Sequence, residues 1–85
     1  MGYHKTEIPR GEYGEISKIV EEALEAKDAS DQGVRIMTLL ELSDLLLAVQ
    51  GYLEKHEPAF TINDLLVMAE RTADSFESGE RKTKS

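Results

Sequence analysis

Five acids in two short stretches are the side chains whose type and spacing could do chemistry: Glu21, Glu22 and Glu25 in "EEALE", and Glu41 and Asp44 in "ELSD". On a helix, with about 100° per residue, each i, i+3 pair (Glu22/Glu25 and Glu41/Asp44) lies about 60° apart round the axis and one turn along. Taken alone, the first stretch reads as the solvated face of an amphipathic helix. The second interrupts the apolar run "IMTLLELSDLLLAV", where burying an unpaired carboxylate costs about several kcal/mol. A salt bridge to Lys18 or Arg35, a water-filled cleft, or cations would offset that cost. Two acids need two partners, yet the first stretch offers further acids. If the two helices pair antiparallel, as a short connection favours, the acid pairs face each other across a groove. Hard divalent cations with oxygen ligands suit such a set, Mg²⁺ before others, and an acid-only Mg²⁺ site implies phosphate chemistry. The chain has no cysteine. Its histidines, His4 on an arm and His56 at a helix end, read as surface residues, which disfavours zinc.

The elements that must position these acids follow from the apolar period. Residues 1–12 contain a proline and two glycines with no sustained period, and read as an irregular arm turning at Pro9 to Gly11. Ile16, Ile19, Val20, Ala23 and Leu24 then fall at helical spacing, predicting a first helix from about Tyr13 to Lys27 or Asp28. "DASDQG" breaks it, with Ser30 or Asp31 placed to cap the next helix. That second helix is expected from about Val34 to Lys55 and is apolar nearly all round. One neighbouring helix cannot cover so much surface, so a bundle completed by another subunit is expected. Pro58 ends helical order at about His56. "TIND" reads as a capping box, Thr61 with Asp64, opening a third helix to about Phe76 that Gly79 can terminate. The expectation is an all-α domain over residues 13–78, two long helices and a shorter third, followed by a polar basic tail at 79–85.

Composition narrows the function classes. The chain has 85 residues, with ten basic against seventeen acidic and a formal net charge of −7. One small domain of this charge is a poor binder of nucleic-acid polymers, which need a concentrated basic surface. A nucleotide handled through a divalent metal stays open, since the metal reverses the local sign. No run of residues was expected to approach the roughly 20 apolar residues of a membrane span, and the N-terminus lacks the apolar core of a signal peptide. Met-Gly with Thr6 matches a myristoylation pattern, but that pattern is short and easily met by chance. A soluble cytoplasmic protein without membrane or nucleic-acid partners is the expectation.

"EEALE", the 15 residues Ala26 to Leu40, and "ELSD" together resemble the E-E-x-x-E … E-x-x-D signature of the MazG-like all-α nucleoside triphosphate pyrophosphohydrolases. That superfamily also includes dimeric dUTP pyrophosphatases and phosphoribosyl-ATP pyrophosphohydrolases. "GEISKIVEEALEA", "ELSDLLLAVQGYL" and "DLLVMAERTADSFESGER" extend the likeness to a small single-domain branch over about Tyr13 to Arg81. The resemblance implies a helical homodimer or dimer of dimers holding Mg²⁺, or Mn²⁺ in its place, on Glu22, Glu25, Glu41 and Asp44. Glu21 would be an accessory acid that orients a water. Lys18 meets phosphate or pairs with Glu22, and Arg71 and Arg81 are candidates for holding the triphosphate. The implied reaction is attack of water at the α–β phosphoanhydride of a nucleoside triphosphate, giving a monophosphate and pyrophosphate. Tyr13, Tyr52, Phe60 and Phe76 could stack on a base. Two other readings stay open: a non-catalytic helical module that keeps the fold and binds nucleotide or protein, and an acidic bundle whose cluster is only structural.

Overall fold

Local sequence signals set the limits of three helices. In a computed structural model that describes His4 and residues 6–77, the chain runs α1 (Ile16–Asp31), α2 (Arg35–His56) and α3 (Ile62–Glu77), with no strand among the described residues. The expected all-α class is observed. The expected proportions are not, because α1 and α3 are each 16 residues long and only α2, at 22, is longer.

α1 runs past the predicted break because a glycine, not a hydroxyl or carboxylate, ends it. Gly33 has φ +75°, a conformation that costs a residue with a Cβ and costs glycine little. Its N–H donates to the Ser30 carbonyl at 2.9 Å and the Val34 N–H donates to the Ala29 carbonyl at 3.2 Å. This is the paired hydrogen-bond pattern of a Schellman cap. Ser30 and Asp31 therefore belong to the last turn of α1. The N-cap of α2 is Val34, which makes no side-chain cap.

The other signals read as expected. α2 stops at His56, two residues before Pro58, with Lys55 and His56 in its last turn, where cations suit the helix dipole. At α3 the Asp64 N–H donates to Thr61 Oγ1 at 3.2 Å, and the Thr61 N–H donates back to Asp64 Oδ2 at 2.8 Å, the reciprocal pattern of a capping box.

α1 and α2 form an antiparallel hairpin. Glu15, before α1, accepts hydrogen bonds from Lys55 and from His56 (3.1 Å) at the far end of α2. The small buried residues are Ala26 and Ala29 on α1 and Ala48 and Gly51 on α2, with Gly51 making room for the Tyr13 ring. Leu53 of α2 is the one large apolar side chain buried among the described residues, and most of the others point elsewhere. Ile36 is 72 % exposed, and Ile16, Val20, Leu39, Leu40, Leu42, Leu46 and Leu47 are exposed with it. α3 packs on α2 alone, buries no residue of its own, and leaves Leu66, Val67 and Met68 in the open. By length and composition α2 is also apolar enough to cross a membrane, contrary to the expectation that no run comes near that threshold. The two interrupting acids do not lower its average enough.

Since α3 has no buried anchor, its capping pair should matter. Thr61→Ala is expected to lower stability by about 1 kcal/mol, read as a fall in thermal midpoint together with faster amide exchange confined to the first turn of α3.

Candidate metal centre

Beside the buried alanines, the faces of α1 and α2 that meet carry the acids, and the hairpin brings them together. Glu22 is 6 % exposed and Glu41 only 2 %. Carboxylate oxygens of Glu22, Glu41 and Asp44 lie within 4.8 Å of one another, as do those of Glu21, Glu22 and Glu25. The wet face expected of "EEALE" alone is thus turned inward, and the α1 stripe of Ile16 and Val20 is turned outward. The five acids singled out from the sequence form one continuous cluster across two helices.

Burial acts differently on its members. Loss of water pushes the Glu22 carboxyl up from its usual range, and the nearby Glu25 and Asp44 charges push it further, while Lys18 draws it back. Glu41 is raised by burial and by Asp44. For Glu21, burial again works upward, but the Gly11 amide and the Lys18 ammonium outweigh it and hold the carboxyl low. Gly11 donates to Glu21 Oε1 at 2.8 Å and Lys18 Nζ does so at 3.1 Å, whereas Lys18 stands 3.8 Å from Glu22. Lys18 therefore pairs first with Glu21, not with Glu22.

The structure adds residues that the sequence reading passed over. His4, expected at the surface, has its side chain 9 % exposed, inside the groove. Its Nε2 lies 2.9 Å from Glu25 Oε2 and 3.1 Å from Glu41 Oε2, and its Nδ1 lies 2.9 Å from Asp28 Oδ2. Asp28 is buried and extends the series Glu22, Glu25, Asp28 by one more step of three. That spacing was visible in the sequence and could have revealed it. The position of His4 depends on how the arm folds back, and no local pattern signals it. Arg10 joins His4, Thr6, Ile8, Glu21 and Glu25 around a pocket of about 450 Å³ on the arm side of the cluster. On the other side Tyr13, Lys18, Glu22, Asp44, Leu47 and Ala48 line one of about 250 Å³.

The remaining candidates lie apart. Arg35 is exposed at the start of α2, and Arg71 is exposed on α3; among the described residues no ion pair joins either to the acids. Arg81 and Gly79 lie outside the described residues. Tyr52 stacks on His56 with ring centroids 4.7 Å apart, at the end of α2. Phe60 lines a cavity of about 470 Å³ between α2 and the start of α3, which holds none of the clustered acids. Phe76 is near the end of α3. Tyr13 is the one aromatic candidate beside the acids.

Raised carboxyls make the metal-free protein lose stability as pH climbs. Glu22 and Glu41 bind protons more tightly folded than unfolded. Their contribution is therefore fully present below the unfolded carboxyl range and is lost as pH rises through their raised values. Glu21 is lowered and works in the opposite sense, its contribution disappearing as pH falls. In a chelator-treated sample, Glu22→Gln and Glu41→Gln should each raise the thermal midpoint at pH 7 to 8 and flatten its decline above about pH 4.5. An unchanged profile would mean that the buried acids carry no repulsion.

Comparison of the chain with protein families, with curated proteins and with solved structures returned no match.

Proposed function

We propose that the protein is a Mg²⁺-dependent nucleoside triphosphate pyrophosphohydrolase of the MazG-like kind, working as a homo-oligomer in the cytoplasm. One observation carries this reading: Glu22, Glu25, Glu41 and Asp44 converge across a single helix seam. The donor set suits the metal. It is made of carboxylate oxygens, two of its residues are buried among small side chains, and Lys18 meets it only at one end.

Bound Mg²⁺, or Mn²⁺ in its place, supplies neutralisation of the triphosphate and acidifies the attacking water. Glu22, Glu25, Glu41 and Asp44 are the residues that would hold it. Glu21, kept anionic by the Gly11 amide and Lys18, orients the water and draws off its proton. Lys18 and Arg10, on the walls of the two flanking pockets, offer cations to phosphate oxygens. Tyr13 offers an aromatic face to a base. The water oxygen bonds to the α-phosphorus as the bond from that phosphorus to the bridging oxygen breaks. A nucleoside monophosphate and pyrophosphate leave.

The outward apolar faces of α1, α2 and α3 support the homo-oligomer. A second copy covers them with matching faces, as in an isologous interface. Glu41 and Asp44, midway along α2, argue for a protein neighbour over lipid there, since charge at mid-membrane is expensive.

Pyrophosphate release from a panel of canonical and modified (deoxy)nucleoside triphosphates is the direct assay. Asp44→Asn is expected to cut turnover by about 100-fold or more with the metal-free fold intact. No turnover by the wild type on any of them, with Mg²⁺ or Mn²⁺, would leave the non-catalytic binding module as the better reading. For the assembly, light scattering should give a mass of two or more chains, and Ile36→Glu with Leu46→Glu should shift it to one. A monomeric wild type would remove the oligomer from the proposal.

A further inference from the structure

We propose that His4 is itself a metal ligand, so that the groove holds a divalent transition metal that accepts imidazole (Mn²⁺, Fe²⁺ or Co²⁺) by one bond that Mg²⁺ does not make. This rests on the metal site proposed above and does not require turnover.

Three elements each send one donor atom to a common point: Nε2 of His4 from the arm, Oε2 of Glu25 from α1, and Oε2 of Glu41 from α2. The nitrogen stands 2.9 Å from one oxygen and 3.1 Å from the other. Adjacent ligands of an octahedral cation with bonds of about 2.1 Å stand about 3.0 Å apart. A single N–H on Nε2 can point well at only one of two oxygens, whereas a cation set among the three atoms serves all of them.

The second observation lies behind the ring. Nδ1 faces Asp28 Oδ2 at 2.9 Å, and Asp28 is itself fixed. Thr6 donates to its Oδ1 through the hydroxyl (2.9 Å) and the amide (3.3 Å), and Gln32 Nε2 donates to its Oδ2 at 2.9 Å. A histidine that binds metal through one nitrogen almost always gives the other N–H to a carboxylate or carbonyl, which fixes the tautomer and aims the ring. Asp28 occupies that place. Imidazole is a ligand that Mn²⁺, Fe²⁺ and Co²⁺ accept and Mg²⁺ largely declines.

The experiment uses the full chain, stripped of metal and titrated with Mn²⁺ alone and Mg²⁺ alone, without nucleotide. Electron spin-echo envelope modulation of the Mn²⁺-loaded protein should show coupling to one ¹⁴N. His4→Ala should abolish that coupling and weaken Mn²⁺ binding by about 10- to 100-fold, with Mg²⁺ affinity near its wild-type value. Asp28→Asn, whose side chain can still accept from Nδ1, should keep the ¹⁴N signal and bind Mn²⁺ more weakly. Circular dichroism checks that both variants keep their helices. Absence of ¹⁴N coupling in the wild type overturns the assignment. So does a His4→Ala variant that binds both metals more tightly, which would make His4 a built-in cation that competes with them. The coupling without turnover would overturn the hydrolase reading alone, and turnover without the coupling would overturn this one alone.

Discussion

Everything in this chain depends on a seam between two helices that is narrow because its buried apolar side chains are small. The buried alanines Ala26 and Ala29 on α1 and Ala48 on α2 keep it narrow, and Gly51 makes room for the Tyr13 ring. Close approach leaves no room there for leucine. Most of the long side chains on those faces are carboxylates, and they are brought together. An apolar core gains stability from burial. This seam gains little of that and adds a charge repulsion. Among the described residues no large side chain is fully buried.

The inside of the groove already shows how donors are recruited to the acids. Glu21 has the Gly11 amide and Lys18, Asp28 has Thr6 and Gln32, and His4 reaches Glu25, Asp28 and Glu41. The arm that precedes α1 is therefore part of the site's wall, contributing His4, Thr6, Arg10 and Gly11. Gly11 can sit there because it has no Cβ. One added at this position would stand 2.2 Å from the Ser17 carbonyl oxygen, a backbone atom that cannot yield. Glu22 and Glu41 are the acids left with least help, and these are the two whose carboxyls burial pushes upward. The cluster thus divides into Glu21, whose carboxyl the Gly11 amide and Lys18 hold low, and Glu22 and Glu41, whose carboxyls burial pushes up.

The outside of the hairpin is the other half of the same constraint. Once the small and acidic faces of α1 and α2 meet, most of their large apolar residues are left facing outward, with Leu53 the exception. α3 covers part of α2 yet leaves apolar residues of its own exposed. The inverted arrangement explains why a chain this short can place carboxylates at its centre. The apolar surface that would normally form the core is available to a neighbour.

How much of this was legible beforehand depends on the range of the interaction concerned. Helix existence, the stop before Pro58 and the Thr61–Asp64 cap were readable because each depends on residues within a turn or two. The end of α1 was misplaced because a glycine at positive φ overrides Ser30 and Asp31 as capping candidates. The five acids were readable because their spacing, and the apolar run that two of them interrupt, both belong to the sequence. Asp28 could have been read by the same spacing. What the sequence determined by itself is that two helices each carry an acid pair on a face unlike the rest. Only the tertiary structure decided which faces meet, because the choice between an apolar seam and a small, acidic one is made by packing between residues some twenty positions apart. It also decided that an arm with no periodicity folds back to set His4 among the acids, a contact that spans 37 positions of the chain and that no local pattern encodes.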